Sequence, residues 1–478
     1  WFHTDKPPIT VVSTEQIDAQ AVGLQERQCN RVLGRKLTEL RAVLAHCSIK
    51  MPYIADTNFN LVCWILGGFI VIFGSVSYLF KEKFYISEAL ISLVVGVVFS
   101  PFGLGIIDPL DFANGSLTSL NSITLNFSRL VIGVQLVLTG VQLPSRYLST
   151  EWKSLLVFLG PVLTSMWLCS SAIIWLMIPD LPFIYALAVG ACISPTDPVL
   201  SNGIVKGKFA DNNVPRDLQR IIVAESGAND GLGYPFLFLA LYIIKNISLG
   251  DALQAGGLQE VGNLWLGETW GYVILLSIVY GVVVGWAARE LLQWTEDKNL
   301  VDRESFLVFA IALALFIVGS CGFIATDDVL ACFIAGNVFT WDDWFRLKTL
   351  DDALQPTIDM LLNLSIFMWF GTVCPWEKFL QNDIVPLHRL IFIGVLILLF
   401  RRLPTIVALK TFIPQIEDYR QAIFVGFFGP VGVSAILYLY IGLEFLDGIV
   451  DKNGRQVAEA ANLAEIMTVV VWFVTICN

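Results

Sequence analysis

The chain has 478 residues, of which 56% are hydrophobic and only 15% are charged. Soluble proteins average about 45–50% apolar and about 25% charged residues, so this apolar excess is too large for a soluble core. The net charge of −11 argues against nucleic acid as a partner, because phosphate contacts require concentrated Lys and Arg. Composition therefore predicts an all-α polytopic membrane protein embedded in a lipid bilayer. It excludes a soluble enzyme and a disordered chain.

The first fifty residues are more polar than the rest, and we interpret residues 1–50 as a leader that is either non-native or disordered. A surface-lying basic helix over residues 30–46 is the alternative interpretation. Residues 51–478 form the predicted transmembrane domain. The nine cysteines include no CxxC pair, and the three histidines lie outside the apolar centres, so we expect neither a structural metal centre nor a cofactor.

Apolar segments of about 20 residues, the length that crosses a bilayer, recur after residue 51. The thirteen predicted spans are 60–80, 86–107, 122–143, 154–178, 183–203, 218–244, 270–292, 304–322, 325–340, 356–374, 388–409, 418–442 and 457–476. The odd-numbered connections and the span ends beside them contain fifteen Lys and Arg residues, and the even-numbered ones with their span ends contain five. Because cytoplasmic loops carry the positive excess, this bias predicts an external N-terminus and a cytoplasmic C-terminus.

The fifth span contains the sequence Ser194-Pro-Thr-Asp-Pro198. Pro195 and Pro198 lack backbone donors and clash with the preceding turn, so the helix must break around Thr196 and Asp197. Broken helices occur in a bilayer only where they line a cavity or are buried in protein. An aspartate at that depth costs about 2.5–3.5 kcal/mol on insertion. We therefore predict that Asp197 and the backbone around Thr196 bind an ion.

The twelfth span contains a second predicted break, at Gly429, Pro430 and Gly432. It comes seven spans after the first break, and an odd offset reverses the direction of the chain across the membrane. The two breaks are therefore predicted to belong to inverted-topology repeats. Paired interrupted segments in the two halves of a chain are the best sequence indication of a transporter's binding site.

The sixth span carries four polar side chains in an otherwise apolar helix. At 100° per residue, Glu225 and Asn229 share one face, and Ser226 and Asp230 share the adjoining face. Two buried acids are very costly unless they are paired or bind cations. These four side chains are therefore candidates for a cation site.

Two consecutive arginines in the eleventh span, Arg401 and Arg402, lie at a depth from which they can reach these acids. We expect one of them to neutralise one carboxylate permanently. Asp197 and Asp230 then remain as the exchangeable carboxylates.

Ser-Pro-Thr-Asp-Pro at 194–198, followed by Glu-Ser-Gly-Ala-Asn-Asp-Gly at 225–231, resembles the monovalent cation:proton antiporter family, and above all the fungal plasma-membrane sodium/proton antiporters. The resemblance covers the chain from Met51 onward. It implies that Asn229, Asp230, Asp197 and the Thr196 backbone bind the ion, and that Glu225 pairs with an arginine of the eleventh span.

The same resemblance implies how the protein works and how it is organised. Na⁺, with Li⁺ or K⁺ as alternatives, would exchange for H⁺ by alternating access at a midplane site, in a multi-pass protein of the plasma membrane. A homodimer is expected, with a moving core over residues of about 154–244 and 388–476 and a scaffold over about 60–143 and 304–374. Animal members carry an arginine in the Gly-rich segment of the penultimate helix, where this chain has Gly429-Pro-Val-Gly432.

Two other classes of function are alternatives to ion exchange. An intramembrane aspartyl protease also places two aspartates on two helices, but with Tyr-Asp and Gly-x-Gly-Asp motifs rather than Thr-Asp-Pro and Asn-Asp-Gly. A cation channel would need neither paired breaks nor proton coupling. Transport without catalysis is therefore the preferred interpretation. The acidic pairs Asp327-Asp328 and Asp351-Asp352 are interpreted as solvated helix ends, with an ion-entry funnel as the alternative.

Overall fold

The computed structural model describes residues 57–78, 87–205, 213–249, 256–381, 384–450 and 455–478. The chain divides into two compact units, Trp1–Trp64 and Ile65–Asn478, and the predicted leader lies outside the described residues. Within the described ranges the chain forms helices and connecting loops, with one isolated bridge between Val450 and Gln456 and no strand. The predicted all-α polytopic membrane class is confirmed.

The helices used below are numbered in chain order. They are α1 (Thr57–Tyr78), α2 (Glu88–Phe99), α3 (Leu117–Gln142), α4 (Trp152–Met177), α5 (Phe183–Cys192), α6 (Pro198–Val205), α7 (Arg216–Leu232), α8 (Tyr234–Ile243), α9 (Gly257–Asp297), α10 (Arg303–Ile324), α11 (Asp328–Phe339), α12 (Leu354–Val373), α13 (Leu387–Phe400), α14 (Leu403–Leu409), α15 (Tyr419–Phe427), α16 (Val433–Asp447) and α17 (Ala458–Cys477).

Nine helical segments in the described part of the chain are long and apolar enough to cross a membrane. They are α1, α3, α4, α7 continued through α8, α9, α10, α12, α13 continued through α14, and α17. Helices α2, α5 and α11 are apolar but shorter. A helix or a pair of helices lies at each of the thirteen predicted positions. The number of membrane crossings itself stays a prediction.

Two predicted spans differ from the observed helices in length. Helix α2 ends at Phe99 instead of continuing to residue 107, because Pro101 follows and Gly105 adopts a φ of +63° that ends the regular geometry. Helix α9 begins well before residue 270, and it includes a π-helical stretch over Leu264–Ile274. Periodicity does not reveal such a stretch, because the apolar composition is unchanged across it.

The eleventh predicted span is not one continuous helix. It is interrupted at Arg401 and Arg402, between α13 and α14. Pro404 explains the interruption, because it has no N–H to donate to the carbonyl of Phe400 four residues earlier. That carbonyl instead accepts a hydrogen bond from the Cys169 thiol, at 3.2 Å. The interruption frees both arginine side chains to reach into the protein.

Helix α11 packs between α3 and α7 through glycines. A Cβ atom at Gly140 of α3 would lie 2.7 Å from the Asn337 nitrogen, and one at Gly336 would lie 3.0 Å from the Val137 Cα. Across the other face, a Cβ at Gly231 of α7 would lie 2.8 Å from the Leu330 Cα. Only glycine permits these backbone approaches, so α11 directly links the helix with the predicted acids to α3.

The expectation that Asp327 and Asp328 form a solvated helix end is wrong, because both are only 7% exposed. Helix α11 begins inside the protein, and its first N–H groups need an acceptor there. The Asp327 carboxylate supplies it, accepting from the N–H groups of Val329 and Leu330 at 2.9 and 3.1 Å. Asp328 forms an ion pair with Arg129 of α3, at 2.8 Å.

Gly336→Ala should lower the stability of the protein by roughly 1–3 kcal/mol, because the new methyl group has to displace the backbone of α3. The measurement is the thermal unfolding midpoint of the purified protein in detergent. Gly319→Ala on α10 is the matched control, because a Cβ atom there has no neighbour within 4 Å. Equal midpoints for the two variants would contradict the glycine-dependent contact.

Candidate functional site

The two predicted helix breaks are present and lie against each other. The first comprises residues 193–197, between α5 and α6, and the second comprises residues 428–432, between α15 and α16. The Asp197 N–H donates to the Pro430 carbonyl across the two segments, at 2.9 Å. The two broken helices therefore cross at their irregular segments, where backbone groups are not used by helical hydrogen bonds.

The Asp197 carboxylate joins the two half-helices that follow the breaks. One oxygen accepts the N–H of Leu200 in α6 at 3.1 Å, and the other accepts the N–H of Val433 in α16 at 2.7 Å. Helix N-termini carry partial positive charge, so one buried carboxylate stabilises both ends. Gly432 makes the approach possible, because a Cβ atom there would lie 2.6 Å from the Asp197 Cγ.

Arg401 contacts the C-terminal ends of the two helices that precede the breaks. Its guanidinium donates to the carbonyl of Ile193, where α5 ends, and to the carbonyl of Gly429, just after α15. Helix C-termini carry partial negative charge, so the buried cation lies where both ends favour it. This function of Arg401 was not predicted from the sequence, which left it as one of two possible partners for an acid.

Arg402 is the partner of Glu225. The two Nη atoms donate to the two carboxylate oxygens at 2.6 and 2.8 Å, and the side chains are 3% and 1% exposed. The Arg402 Nε also donates to the Val425 carbonyl of α15, at 3.0 Å. This bidentate geometry is the strong form of an arginine–carboxylate pair. The pair neutralises one of the three acids at the crossing and ties α7 to α15.

Asn229, Thr196 and Ser226 form a hydrogen-bonded network between the first break and α7. The Asn229 amide accepts from the Thr196 N–H at 3.1 Å and donates to the Thr196 hydroxyl at 2.8 Å. It also donates to Glu225 at 3.1 Å. The Ser226 hydroxyl lies 3.1 Å from that of Thr196 and 3.0 Å from that of Ser201. Ser201 was not predicted, since it has no feature in the sequence that separates it from other helical serines.

Asp230 differs from its neighbours because neither carboxylate oxygen has a hydrogen-bond partner among the described residues. The residue is only 1% exposed. Asp197 lies close enough to repel its negative charge. A buried, unpaired carboxylate is very costly, so Asp230 requires a proton or a bound cation. No group of three or more His, Cys, Asp or Glu side chains is arranged for a metal ion in the part of the chain that the structure describes.

Two broken helices that cross at their irregular segments, with buried acids beside the crossing, are the arrangement typical of membrane transporters built from inverted repeats. The transmembrane profile of the sodium/hydrogen exchanger family matches residues 68–477. The chain belongs to the sodium/hydrogen exchanger family. The resemblance inferred from the two acidic motifs is thereby confirmed.

Fungal antiporters are among the similar proteins. A Na(+)/H(+) antiporter of Saccharomyces cerevisiae is 38% identical over 372 residues, which are 78% of this chain and 36% of that protein. A probable Na(+)/H(+) antiporter of Schizosaccharomyces pombe is 38% identical over 379 residues, which are 79% of this chain and 48% of that protein. The chain therefore spans less than half of the length of these two relatives.

The fold is similar to that of a solved sodium proton antiporter from Methanocaldococcus jannaschii. The TM-score is 0.63 at 18% sequence identity, and the match covers 88% of this chain and 95% of the other. At this identity the likeness concerns the fold alone.

Glu225→Gln should reduce the amount of folded protein, because removal of one partner leaves the Arg402 charge buried and unpaired. The typical cost is about 3–5 kcal/mol. The double variant Glu225→Gln with Arg402→Gln should recover part of the loss. The measurement is the monodisperse fraction after detergent extraction, together with the thermal midpoint. A single Glu225→Gln variant that is normally abundant but inactive would instead place Glu225 in the ion site.

Proposed function

We propose that the chain exchanges Na⁺ for H⁺ across the membrane by alternating access, with Asp230 as the obligatory carrier of both ions. One observation carries this proposal: both oxygens of the buried Asp230 carboxylate lack a hydrogen-bond partner among the residues that the structure describes, whereas the neighbouring acids are held by protein groups. The family and the relatives named Na(+)/H(+) antiporters support Na⁺ and H⁺ as the substrates. Li⁺ and K⁺ are further candidate substrates.

Coupling follows from competition for one carboxylate. A proton and a monovalent cation each neutralise Asp230, and the carboxylate does not hold both in full. If the core can change the side of the membrane to which the site opens only when Asp230 is occupied, each ion that leaves must be replaced by one that returns. An inward proton gradient then drives Na⁺ out of the cell.

The remaining ligands come from the crossing itself. Both oxygens of Asp197 accept backbone N–H groups, and since a carboxylate has about four lone-pair sites, we propose that it also shares the cation. Backbone carbonyls near Thr196, the Asn229 amide oxygen and the Ser226 hydroxyl complete the proposed ligand set. Hard monovalent cations favour such oxygen ligands.

Movement is proposed between the core, about residues 154–244 and 388–476, and the scaffold, about residues 60–143 and 304–374. The contact of α7 with α11 supports a sliding interface, because its α7 side presents Gly227 to the Phe333 ring and Gly231 to Leu330. Glycines offer no side chain that would interlock with the facing helix. A homodimer formed through the scaffold, at the plasma membrane and with an external N-terminus, completes the proposal.

Asp230→Asn should abolish exchange of Na⁺, Li⁺ and K⁺ while the protein stays folded, because an amide keeps the shape and is cheaper to bury than a carboxylate. The measurement is cation-driven recovery of a pH-sensitive dye in proteoliposomes at several pH values, with protein amounts matched. Asp217→Asn is the control, since Asp217 lies on the same helix with 78% of its side chain exposed. Substantial exchange by Asp230→Asn at any pH would remove the proposal.

Asp197→Asn should strongly reduce the rate of exchange without abolishing it. The variant retains one oxygen acceptor for the half-helix N-termini, but the negative charge that is shared with Asp230 is lost. The same proteoliposome assay measures the residual rate. A rate equal to that of the unmodified protein would remove Asp197 from the proposed site.

The same assay separates the other classes of function. Cation flux that is independent of a proton gradient would favour a channel. Cleavage of a hydrophobic peptide that depends on both aspartates would favour a protease.

A further inference from the structure

Helix α16 presents two polar side chains, one turn apart, to the residue that we place at the centre of exchange. The Tyr438 hydroxyl donates to the backbone carbonyl of Asp230 and lies 3.3 Å from that of Gly231. Ser434 precedes Tyr438 by four residues and therefore shares its helix face. Its hydroxyl lies within interaction distance of the Asp230 carboxylate, without a hydrogen bond of regular geometry between the two groups. One face of α16 thus contacts both the backbone and the side chain of Asp230.

The position of Tyr438 is fixed by the chemistry of the facing helix. Pro235 has no N–H to donate to the carbonyl of Gly231, and that carbonyl instead accepts from the Gly233 N–H, with the Tyr438 hydroxyl as a second donor at 3.3 Å. Gly233 leaves room for the tyrosine ring, because a Cβ atom there would lie 2.7 Å from the ring carbon Cε2 and 2.7 Å from Pro195. Tyr438 is thereby held between the first break and α7, which keeps the rest of this face next to Asp230.

Ser434 is 1% exposed, and its hydroxyl oxygen has no hydrogen-bond partner of regular geometry among the described residues. Helical serines commonly donate to the carbonyl four residues earlier, as Ser171 does to Trp167 at 2.7 Å. For Ser434 that carbonyl belongs to Pro430, which lies in the second break and accepts from Asp197. Leaving a buried hydroxyl unpaired costs about 1–3 kcal/mol, so its position beside an unpaired carboxylate calls for a ligand between them.

We infer that the Ser434 hydroxyl oxygen is a further ligand of the transported cation, placed opposite the Asp230 carboxylate. The inference rests on the proposed exchange at Asp230 and adds to it a ligand from the second broken helix. Ser434 lies in the first turn of α16, where the partial positive charge of the helix end disfavours a cation. The Asp197 carboxylate on the neighbouring Val433 N–H offsets that charge.

A ligand from α16 also has a consequence for selectivity. A hydroxyl fixed by the packing of Tyr438 can approach a small cation closely, whereas a larger one has to push the two helices apart. Loss of the hydroxyl should therefore weaken Li⁺ and Na⁺ more than K⁺.

Ser434→Ala should raise the half-saturating Na⁺ concentration on the order of tenfold, because one hydrogen-bond-strength contact to a charged species is lost. The measurement is exchange in proteoliposomes over a range of Na⁺, Li⁺ and K⁺ concentrations at fixed pH. Ser170→Ala on α4 is the matched control, since Ser170 is also buried and its hydroxyl has no partner in the described part of the chain, yet it lies on another helix. The control should have the half-saturating concentration of the unmodified protein.

Ser434→Cys tests the same point at nearly unchanged volume, so it decides the question if the alanine variant does not fold. Sulfur is a poor ligand for hard cations, and the cysteine variant should lose affinity as alanine does. A second readout is the rise in thermal midpoint on adding Na⁺ in detergent, which follows binding directly. Asp230→Asn should remove that rise, and Ser434→Cys should shift it to higher Na⁺ concentration.

The outcomes separate this inference from the proposed function. If the unmodified protein exchanges and Asp230→Asn does not, but both Ser434 variants keep the normal half-saturating concentrations, Ser434 is not a ligand. If the unmodified protein shows neither exchange nor Na⁺-dependent stabilisation, the proposed function itself fails. A loss of affinity that is equal in Ser434→Ala and Ser170→Ala would also overturn the inference.

Discussion

The constraint on which the rest of the structure depends is that backbone groups freed by two helix breaks must find partners inside the membrane. The lipid cannot replace a lost helical hydrogen bond, so other groups of the protein have to do so. Arg401 donates to the carbonyls at which α5 and α15 end, and Asp197 accepts the N–H groups with which α6 and α16 begin. Because each side chain serves both helices, the crossing holds together only when the two breaks lie side by side.

Charge is balanced around this crossing in a way that singles out one residue. Two buried arginines, Arg401 and Arg402, equal in number the two acids that protein groups already hold, Glu225 and Asp197. These four charges cancel. Asp230 is the fifth, and it alone lacks both a countercharge and a hydrogen bond among the described residues. One proton or one monovalent cation restores neutrality, which is why the proposed exchange concerns ions of a single positive charge.

Much of this site could be predicted from the sequence because the chemistry of proline and glycine is local. Pro195 and Pro198 indicate a break in whatever helix contains them, and 100° periodicity places Glu225 and Asn229 on one face. From the sequence, the partner of Glu225 could be narrowed only to Arg401 and Arg402. Consecutive residues of a helix point 100° apart, and tertiary packing decides which of the two side chains reaches Glu225. Contacts such as that of Tyr438 with Asp230, 208 residues apart, have no local pattern.

The sequence does contain a signal for the interruption at Arg401. Pro404 predicts a freed carbonyl four residues earlier. The Gly-rich segment Gly429-Pro-Val-Gly432 contains no arginine of its own. The guanidinium that donates to the Gly429 carbonyl belongs to Arg401, between α13 and α14, and reaches that carbonyl from outside the segment. The short segment is thereby left without a long side chain, and its glycines lie directly against Arg402 and Asp197.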